Sequence, residues 1–422
     1  MRVGIANATI TPERPIWLTG YASRTEPSDG KYNDLEASAV VFDNGQSRVG
    51  ILAADLIGLD EFLLDPIRER AAELGIPPEC MLVNCSHTHC GPAVRKLRSF
   101  LHTFDDEYLE GLKAAFAGLL ERAVADLQEA ALDYAVGSCT LGISRRRVPD
   151  GGGEAAMLPN PDKPVDTAVP VLRVASPEGA VRALLFSYAC HPTTMGGYEI
   201  GTDYPGFARD WVAAAWPGCV PVFLQGCGGD VKPRYTKPNG RFGYVLLKPQ
   251  DTVAEIGHEL GRAVVAALAV PPQPVPAHLP AEPEAAAAAP IYLGGIVEKV
   301  RVPDKKRPKE KFHEIYVGAW RIGDVYVFGS QCELCSHVGL HIKRALPGYR
   351  LWTNGYTHWG GGYLPEAAAY PEGGYEVKCS TVSPATEGIL IRNATRYIRA
   401  LAAGNTGLGP IRVPPASPPP PP

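Results

Sequence analysis

Two histidines one residue apart, His87 and His89, follow an apolar segment and precede a Gly-Pro pair; no other feature constrains the chain as much. Residues 81–83 read Met-Leu-Val, which predicts a strand, and Gly91-Pro92 predicts the turn that follows it. In an extended backbone alternate side chains lie on one face, so both imidazoles can reach the same cation. Because α/β folds bind ligands where strands end, a metal site is the first hypothesis for this segment.

Two other strand ends carry side chains that suit a metal. His191 follows the apolar strand predicted over 181–188 and precedes Pro-Thr-Thr. Glu333 lies where the strand predicted over 325–328 leads into a predicted helix. Each residue also has an ordinary structural reading: a histidine can be a hydrogen-bonded core residue, and a glutamate can favour a helix N-terminus. Since zinc takes three or four ligands, none of these segments is a site by itself.

Length and charge describe a globular protein without an evident polyanionic partner. The chain has 422 residues, 45% of them apolar, a formal net charge of -4 and a pI near 6.2. A basic stripe with interleaved aromatic residues, as nucleic-acid binding requires, is missing from the sequence. No apolar run reaches the roughly 18 residues of a spanning helix, and the N-terminus lacks a signal-peptide pattern. We therefore expect a cytoplasmic protein that acts on a small molecule, with neither nucleic acid nor a membrane as partner.

The ten cysteines are expected to be free thiols, because a chain this long without a signal peptide rarely depends on a disulfide framework. Cys332 and Cys335 form a C-x-x-C pair, which occurs in redox sites and in zinc ribbons. Neither a second such pair nor a thioredoxin-like context accompanies it, so both of those uses are weakly supported.

Hairpins and helices alternate along the chain, which predicts an α/β fold of mixed β-sheet layers flanked by helices. The order is not strictly βαβ, so a doubly wound sheet is disfavoured. The predicted hairpins cover 35–42 with 49–56, 169–174 with 181–188, and 315–322 with 325–328. The predicted helices cover 60–75, 105–127, 203–216, 252–268 and 386–402. One catalytic domain is expected over 1–403, with a connector at about 271–290 inside it, followed by a Pro-rich disordered tail over 404–422.

Four loops are candidates for lining a site. Residues 17–24 are small and polar, and the Gly-rich aromatic loop 355–375 has the composition of a pocket wall. The glycines of 226–229 predict an anion or oxyanion nest, although the pattern of a nucleotide P-loop is missing. The polar loop 144–163 begins with three consecutive arginines after its serine. Such arginines are usually solvated, and the alternative is that one of them points into a pocket.

Four motifs follow one another along the chain. They are His87-Thr88-His89 before Gly91-Pro92, Cys190-His191-Pro192-Thr193 before Met195, Gly229-Asp230-Val231 before Pro233, and Tyr363 ahead of Tyr375-Glu376. Together they resemble the catalytic domain of the neutral, non-lysosomal ceramidase family, over a region from about Gly20 to Glu376. The family's G-E-F segment corresponds here to Cys332-Glu333-Leu334.

The resemblance implies a set of site residues. In that family one zinc is held by the first histidine of the H-T-H motif, the histidine of H-P-T, a glutamate and a tyrosine. The matching positions are His87, His191, Glu333 and Tyr363. Tyr375 matches a family tyrosine near the scissile group, and Arg145 lies in the segment that matches the family's N-R.

Two departures from the family pattern change the expected chemistry. The family's serine, taken to be its nucleophile, lies directly after G-D-V, and Lys232 occupies that position here. An acyl-enzyme on a serine at this position is therefore excluded. The segment after the catalytic region is one helix and a Pro-rich tail, so we expect no counterpart of the family's C-terminal immunoglobulin-like domain. Both points disfavour ceramide as the substrate.

The resulting hypothesis is a zinc hydrolase in which a metal-activated water attacks an amide or ester directly. His89 is assigned as general base or as a neighbour of the ligands, while Tyr375 and Arg145 stabilise the oxyanion. Lys232 either does the same or binds a substrate carboxylate; its alternative is a salt bridge to Asp230 or solvation. The competing functions are a zinc-binding scaffold without turnover, and a zinc-dependent isomerase or lyase acting on a polyol or sugar-like substrate.

Overall fold

The computed structural model describes residues 1–95, 104–237, 240–242, 249–270, 273–275 and 292–404. Most of the expected connector at 271–290, and the expected tail beyond residue 404, lie outside these residues. Among the described helices, none combines the length and the apolar character needed to cross a membrane.

The described chain alternates strands and helices. The strands are β1 (Arg2–Thr9), β2 (Gly30–Lys31), β3 (Glu36–Asp43), β4 (Arg48–Ala54), β5 (Met81–Cys85), β6 (Gln128–Glu129), β7 (Ala131–Ser138), β8 (Gly142–Arg147), β9 (Ala156–Asn160), β10 (Ala168–Ala175), β11 (Val181–Tyr188), β12 (Glu199–Ile200), β13 (Val220–Gln225), β14 (Val231–Pro233), β15 (Gln273–Pro274), β16 (Leu293–Pro303), β17 (Phe312–Ile322), β18 (Val325–Ser330), β19 (Glu333–Leu334), β20 (Arg350–Asn354) and β21 (Tyr363–Leu364). The helices are α1 (Glu61–Glu73), α2 (Asp106–Ala125), α3 (Tyr204–Ala215), α4 (Pro249–Ala269), α5 (Ser336–Ala345), α6 (Ala369–Glu372), α7 (Tyr375–Cys379) and α8 (Ala385–Ala402).

Three larger sheets share one plan. Their strand orders are β5-β4-β3-β1-β6, β13-β11-β10-β7-β15 and β16-β17-β18-β20. In each sheet three antiparallel strands lead into a helix, and the next strand returns parallel to the third: β5 beside β4, β13 beside β11 and β20 beside β18. A parallel neighbour requires such a crossover. The fold thus repeats one unit three times, over 2–125, 131–269 and 293–402, although the sequence shows no repeat.

Long amphipathic helices close each unit. Helix α2 buries a stripe at helical spacing, formed by Leu109, Leu112, Phe116, Leu119, Leu120 and Ala123. These side chains pack with the buried strands of the first sheet, where Val40, Val41 and Phe42 are fully buried. Helix α8 does the same in the third unit with Leu390, Ala394 and Leu401. Each large apolar side chain buried this way contributes about 1.5–3 kcal/mol, so burial sets where the helices lie.

Side-chain amides join the ends of the three returning strands. The Gln225 backbone N–H donates to Asn84 Oδ1 at 2.7 Å, and Asn84 Nδ2 donates to the Gly355 carbonyl at 2.9 Å. Asn354 Nδ2 donates to the Gln225 carbonyl at 2.8 Å. The Asn84 and Asn354 side chains are buried, where an unmade hydrogen bond is expensive. They therefore hold together the carboxyl ends of β5, β13 and β20, from which the site loops emerge.

The predicted α/β fold of mixed sheets with flanking helices is confirmed. The three predicted hairpins are the antiparallel pairs β3–β4, β10–β11 and β17–β18. All ten cysteines are free, as expected, and only Cys379 is exposed. The prediction of a polar loop over 144–163 is wrong, because β8 and β9 pair there. The segment 293–303, for which we predicted no element, forms the long strand β16.

Candidate metal centre

Each of the three units places one metal-type side chain beside the others. His191 lies three residues after β11, and Glu333 lies three residues after β18, so the two occupy equivalent positions in their units. His87 comes from the returning strand β5 of the first unit. Glu333 lies in the short strand β19, where it is paired with Tyr363 of β21. The helix that was predicted to begin at Glu333 begins at Ser336 instead.

The side chains meet around one carboxylate oxygen. Glu333 Oε2 lies 3.4 Å from His87 Nε2 and 3.2 Å from His191 Nε2. The Tyr363 hydroxyl lies 3.4 Å from His191 Nε2. His89 belongs to the same group, because each of the three imidazoles offers a nitrogen within 4.8 Å of the other two. Residues separated by up to 276 positions in sequence are thus brought together at one point.

Backbone carbonyls orient two of the imidazoles. His87 Nδ1 lies 2.6 Å from the Ile57 carbonyl, and His191 Nδ1 lies 2.6 Å from the Gly228 carbonyl. Since a carbonyl only accepts, each Nδ1 carries the hydrogen and each Nε2 presents its lone pair to the centre. His87 holds a left-handed backbone, with φ at 65°. That conformation is uncommon for a residue other than glycine and is often found at functional sites.

Buried polar atoms at the centre lack partners among the described residues. Glu333 Oε2 and both ring nitrogens of His89 make no hydrogen bond there. Native proteins leave few buried polar groups unsatisfied, so atoms of this kind gathered at one point suit a bound cation and its water. Imidazole, carboxylate and phenol oxygen are donors that first-row transition metals accept. The residues present fit a metal ion.

The electrostatic environment keeps the imidazoles ready to bind a metal. Burial, together with the neighbouring His87 and His191, holds the pKa of His89 well below its usual 6.5. Burial and then the nearby Arg145 lower the pKa of His191 to about 4. Both rings are therefore neutral at pH 7, which is the form that coordinates a metal.

Two consecutive arginines are buried behind Tyr363. Arg145 Nη2 donates to the Tyr363 hydroxyl at 3.1 Å, and its Nε donates to Glu376 Oε1 at 2.7 Å. Arg146 Nη1 donates to Glu376 Oε2 at 2.7 Å. The prediction of solvated arginines is wrong for this pair and right for the exposed Arg147. A register shift in β8 opposite β9 accompanies the burial of two successive side chains. Glu376 pairs with both arginines, and Glu372 Oε2 also lies 3.2 Å from Arg146 Nη2.

The glycine run after β13 packs against backbone and does not form the predicted anion nest. The N–H groups of Gly226, Gly228 and Gly229 donate to the carbonyls of Tyr188, Gly226 and Leu334 at 2.8 to 2.9 Å. A side chain at Gly229 would lie 2.7 Å from the Glu333 carbonyl. Glycine is required here because the second and third units approach each other through bare backbone.

Comparison with solved structures identifies the architecture. No protein-family model matches the chain, and no curated protein matches it in sequence. The crystal structure of neutral ceramidase from Pseudomonas aeruginosa matches with a TM-score of 0.78 and 17% identity, covering 97% of this chain and 76% of that one. A ceramidase complexed with C2 matches with a TM-score of 0.76 and 18% identity, at the same coverage. The chain has the neutral ceramidase fold.

In this ceramidase-like fold, His89 and the loop 17–24 face each other. A Cβ on Gly20 would lie 2.6 Å from the His89 ring, and the glycine has φ at 95°. The Tyr21 ring lies 4.9 Å from the His89 ring between centroids. The loop predicted to approach a site thus contacts the second histidine of the H-T-H motif.

Lys232 lies in β14, paired with Ile143 of β8, and only 4% of it is exposed. Burial first, and then the positive charge of Arg145, lower the pKa of Lys232 to about 8. The charge of Lys232 also contributes to the lowered pKa of His89, so the ammonium acts electrostatically on that imidazole. Asp230, the alternative partner considered from the sequence, accepts the Ser336 backbone N–H at 2.7 Å.

Tyr375 lies at the rim of the site. Its ring centroid is 5.4 Å from that of Tyr363, and the Arg145 guanidinium lies 5.6 Å from the Tyr375 ring. The residue is 47% exposed, whereas Tyr363 is only 8% exposed. Tyr375 is therefore the exposed neighbour of the buried Tyr363.

Sequence reasoning did not assign a role to Tyr356. Its ring centroid is 4.3 Å from that of His87 and 6.0 Å from that of His191. The residue is 3% exposed and has a left-handed backbone with φ at 55°. The available signal was its place near the start of the aromatic loop 355–375, which the composition predicts to line a pocket. That composition does not distinguish Tyr356 from the other aromatic residues of the loop.

Proposed function

We propose that this protein is a zinc-dependent hydrolase that cleaves an amide or ester bond with water as the nucleophile. The observation that carries the proposal is the convergence of His87, His191, Glu333 and Tyr363, with unpartnered polar atoms at their meeting point. The neutral ceramidase fold agrees with hydrolysis, and the choice of zinc rests on the donor set.

In this proposal the four ligand side chains hold the metal. Bound zinc lowers the pKa of water to about 7 and polarises a carbonyl. A ring nitrogen of His89 accepts the proton of the attacking water, since this ring is neutral and both its nitrogens lack partners among the described residues. The imidazole then donates that proton to the leaving group.

The oxyanion is stabilised from the opening side. Tyr375 lies there with its ring near Arg145, and its hydroxyl donates to the carbonyl oxygen in this proposal. Arg145 is held in place by Glu376 and Tyr363, so it acts from a fixed position. An oriented cation requires little reorganisation as negative charge develops.

The substrate class follows from Lys232. A buried ammonium near His89 and Arg145 attracts negative charge, so we propose a small polar substrate that carries a carboxylate in preference to ceramide. The net charge of -4 gives no reason to expect nucleic acid or an anionic membrane as partner. A cytoplasmic location stays a prediction.

The test combines metal analysis with hydrolysis. Purified, unchelated protein is expected to hold about one zinc per chain, and His87→Ala and His191→Ala should each lose zinc and activity together. His89→Ala should keep zinc while losing activity. His258→Ala, on helix α4 beside Trp211, is the matched control that should change neither. Fresh wild-type protein without zinc would defeat the proposal.

A panel of N-acyl, ester and lactone substrates, with and without a carboxylate, separates the alternatives. Zinc without turnover on any substrate would favour the non-catalytic scaffold, for which the replacement of the family's serine by Lys232 is the motivating observation. Conversion of a polyol or sugar-like substrate without the mass of one added water would favour an isomerase or lyase. Hydrolysis predicts the product masses of a cleaved bond plus water.

A further inference from the structure

The Tyr356 hydroxyl is buried and has no hydrogen-bond partner among the described residues. Glu333 Oε2 is likewise without a hydrogen bond, so the two oxygens do not bond to each other. A phenol in a protein interior normally finds an acceptor. This hydroxyl is withdrawn from water without one, on a ring whose centroid lies 4.3 Å from that of His87 and 6.0 Å from that of His191.

Two backbone hydrogen bonds fix the position of Tyr356. The Tyr356 carbonyl accepts the Cys85 N–H, and the Tyr356 N–H donates to the Cys332 carbonyl, both at 3.2 Å. These bonds tie the residue to β5, which leads to His87, and to the segment that carries Glu333. The backbone is left-handed, a conformation that a tyrosine adopts only when its surroundings impose it. The surroundings thus hold the ring against the metal ligands.

A tyrosine side chain at neutral pH is a protonated phenol, so the Tyr356 hydroxyl has a hydrogen to donate. None of the described residues accepts that hydrogen.

We propose that Tyr356 is a further residue of the catalytic centre, whose hydroxyl donates a hydrogen bond to the attacking water and so holds that water in place while His89 takes its proton. This inference rests on the proposed hydrolase function. Tyr356 is distinct from the four ligands and from His89, because it binds the water without accepting its proton. It is 3% exposed, whereas the rim residue Tyr375 is 47% exposed.

Tyr356→Phe is the test, since it keeps the ring against His87 and removes only the hydroxyl. The variant should keep about one zinc per chain, lose about 10- to 100-fold in kcat and show a KM within about threefold of wild type. In zinc-free protein its melting temperature should equal or exceed that of wild type, because the removed hydroxyl has no hydrogen bond to lose. That last readout does not depend on the loaded enzyme.

Tyr397→Phe is the matched control. Tyr397 is fully buried, its hydroxyl donates to Glu298 Oε2 at 2.7 Å, and it lies in α8 away from the site. This control should lower the melting temperature and leave kcat unchanged. The two variants therefore contrast a hydroxyl that serves the reaction with one that serves the fold.

Each contrary result has one meaning. Wild-type kcat in Tyr356→Phe, with active wild-type protein, overturns this inference and leaves the proposed function standing. Loss of zinc in the variant assigns Tyr356 as a ligand, and a lower melting temperature in zinc-free protein assigns it a structural role; either outcome overturns the inference. Wild-type protein with neither zinc nor hydrolysis overturns both proposals.

Discussion

Replacing Lys232 by Met removes a buried charge while keeping a long unbranched side chain, and we expect it to stabilise the zinc-free protein at neutral pH. Lys232 is 4% exposed, and burial is the main reason that its pKa falls from 10.5 to about 8. One pH unit of difference between folded and unfolded pKa is worth about 1.4 kcal/mol, so the ammonium destabilises the fold by ~3 kcal/mol. Replacement by Met is expected to restore a large part of that lost free energy of unfolding.

The pH dependence gives the sharper test. The pKa of Lys232 is lower in the folded state than in the unfolded state, so below pH 8 both states are charged and the folded state carries the whole penalty. Between pH 8 and 10.5 the folded protein loses the proton while the unfolded chain keeps it, and wild-type stability from this group rises. The advantage of Lys232→Met should therefore be full at pH 7 and vanish by about pH 10.5.

The assay is urea unfolding of chelator-treated protein at pH 7 and at pH 10, read as the difference between variant and wild type. Lys163→Met is the matched control: burial would lower the pKa of Lys163, but pairing with Glu366 at 2.8 Å outweighs it and leaves the pKa raised. Removing that lysine should destabilise the protein at pH 7. The reasoning would be refuted if the Lys232→Met variant were less stable than wild type at pH 7. It would also be refuted if the variant exceeded wild type in stability by the same amount at pH 7 and at pH 10.

Three further outcomes are expected. Glu376→Gln should lose ~3 kcal/mol of stability at pH 7, because Arg145 and Arg146 keep their charges without a buried anion. Burial alone would raise the pKa of Glu376, but Arg145 and Arg146 hold that pKa below 4.5. The stability lost in the variant should therefore shrink as the pH falls below 4.5, which unfolding at pH 7 and at pH 4 would measure. Tyr375→Phe should change stability by less than about 0.5 kcal/mol and lower kcat, which separates a rim residue from a core one. A thiol reagent should label one cysteine in native protein and ten after denaturation, since only Cys379 is exposed; fast labelling of several native thiols would contradict the described core.

The metal-type residues were accessible from sequence because their signals are local. His87, His191 and Glu333 each follow an apolar strand, and strand ends are where such folds gather polar side chains. Hairpins and helices were predictable for the same reason, since alternation and helical spacing are read within a dozen residues. The free cysteines followed from chain length.

Long-range contacts decided the rest. Arg145 and Arg146 look like solvated residues until Glu376, 230 or more positions away, is brought against them. The glycines after β13 look like an anion nest until the backbone of the third unit fills the space beside them. Composition placed Tyr356 among several aromatic residues of one loop. Only the backbone hydrogen bonds that join Tyr356 to Cys85 and to Cys332 distinguished it.

By itself the sequence determined which side chains are candidates for a metal site, which strands precede them, and that a lysine follows the Gly-Asp-Val motif. The tertiary structure decided that three similar units meet through Asn84, Gln225 and Asn354, and hence that those side chains share one centre. The physical reason is that a strand or helix is specified by neighbours in sequence, whereas burial and charge compensation depend on groups that only folding brings together.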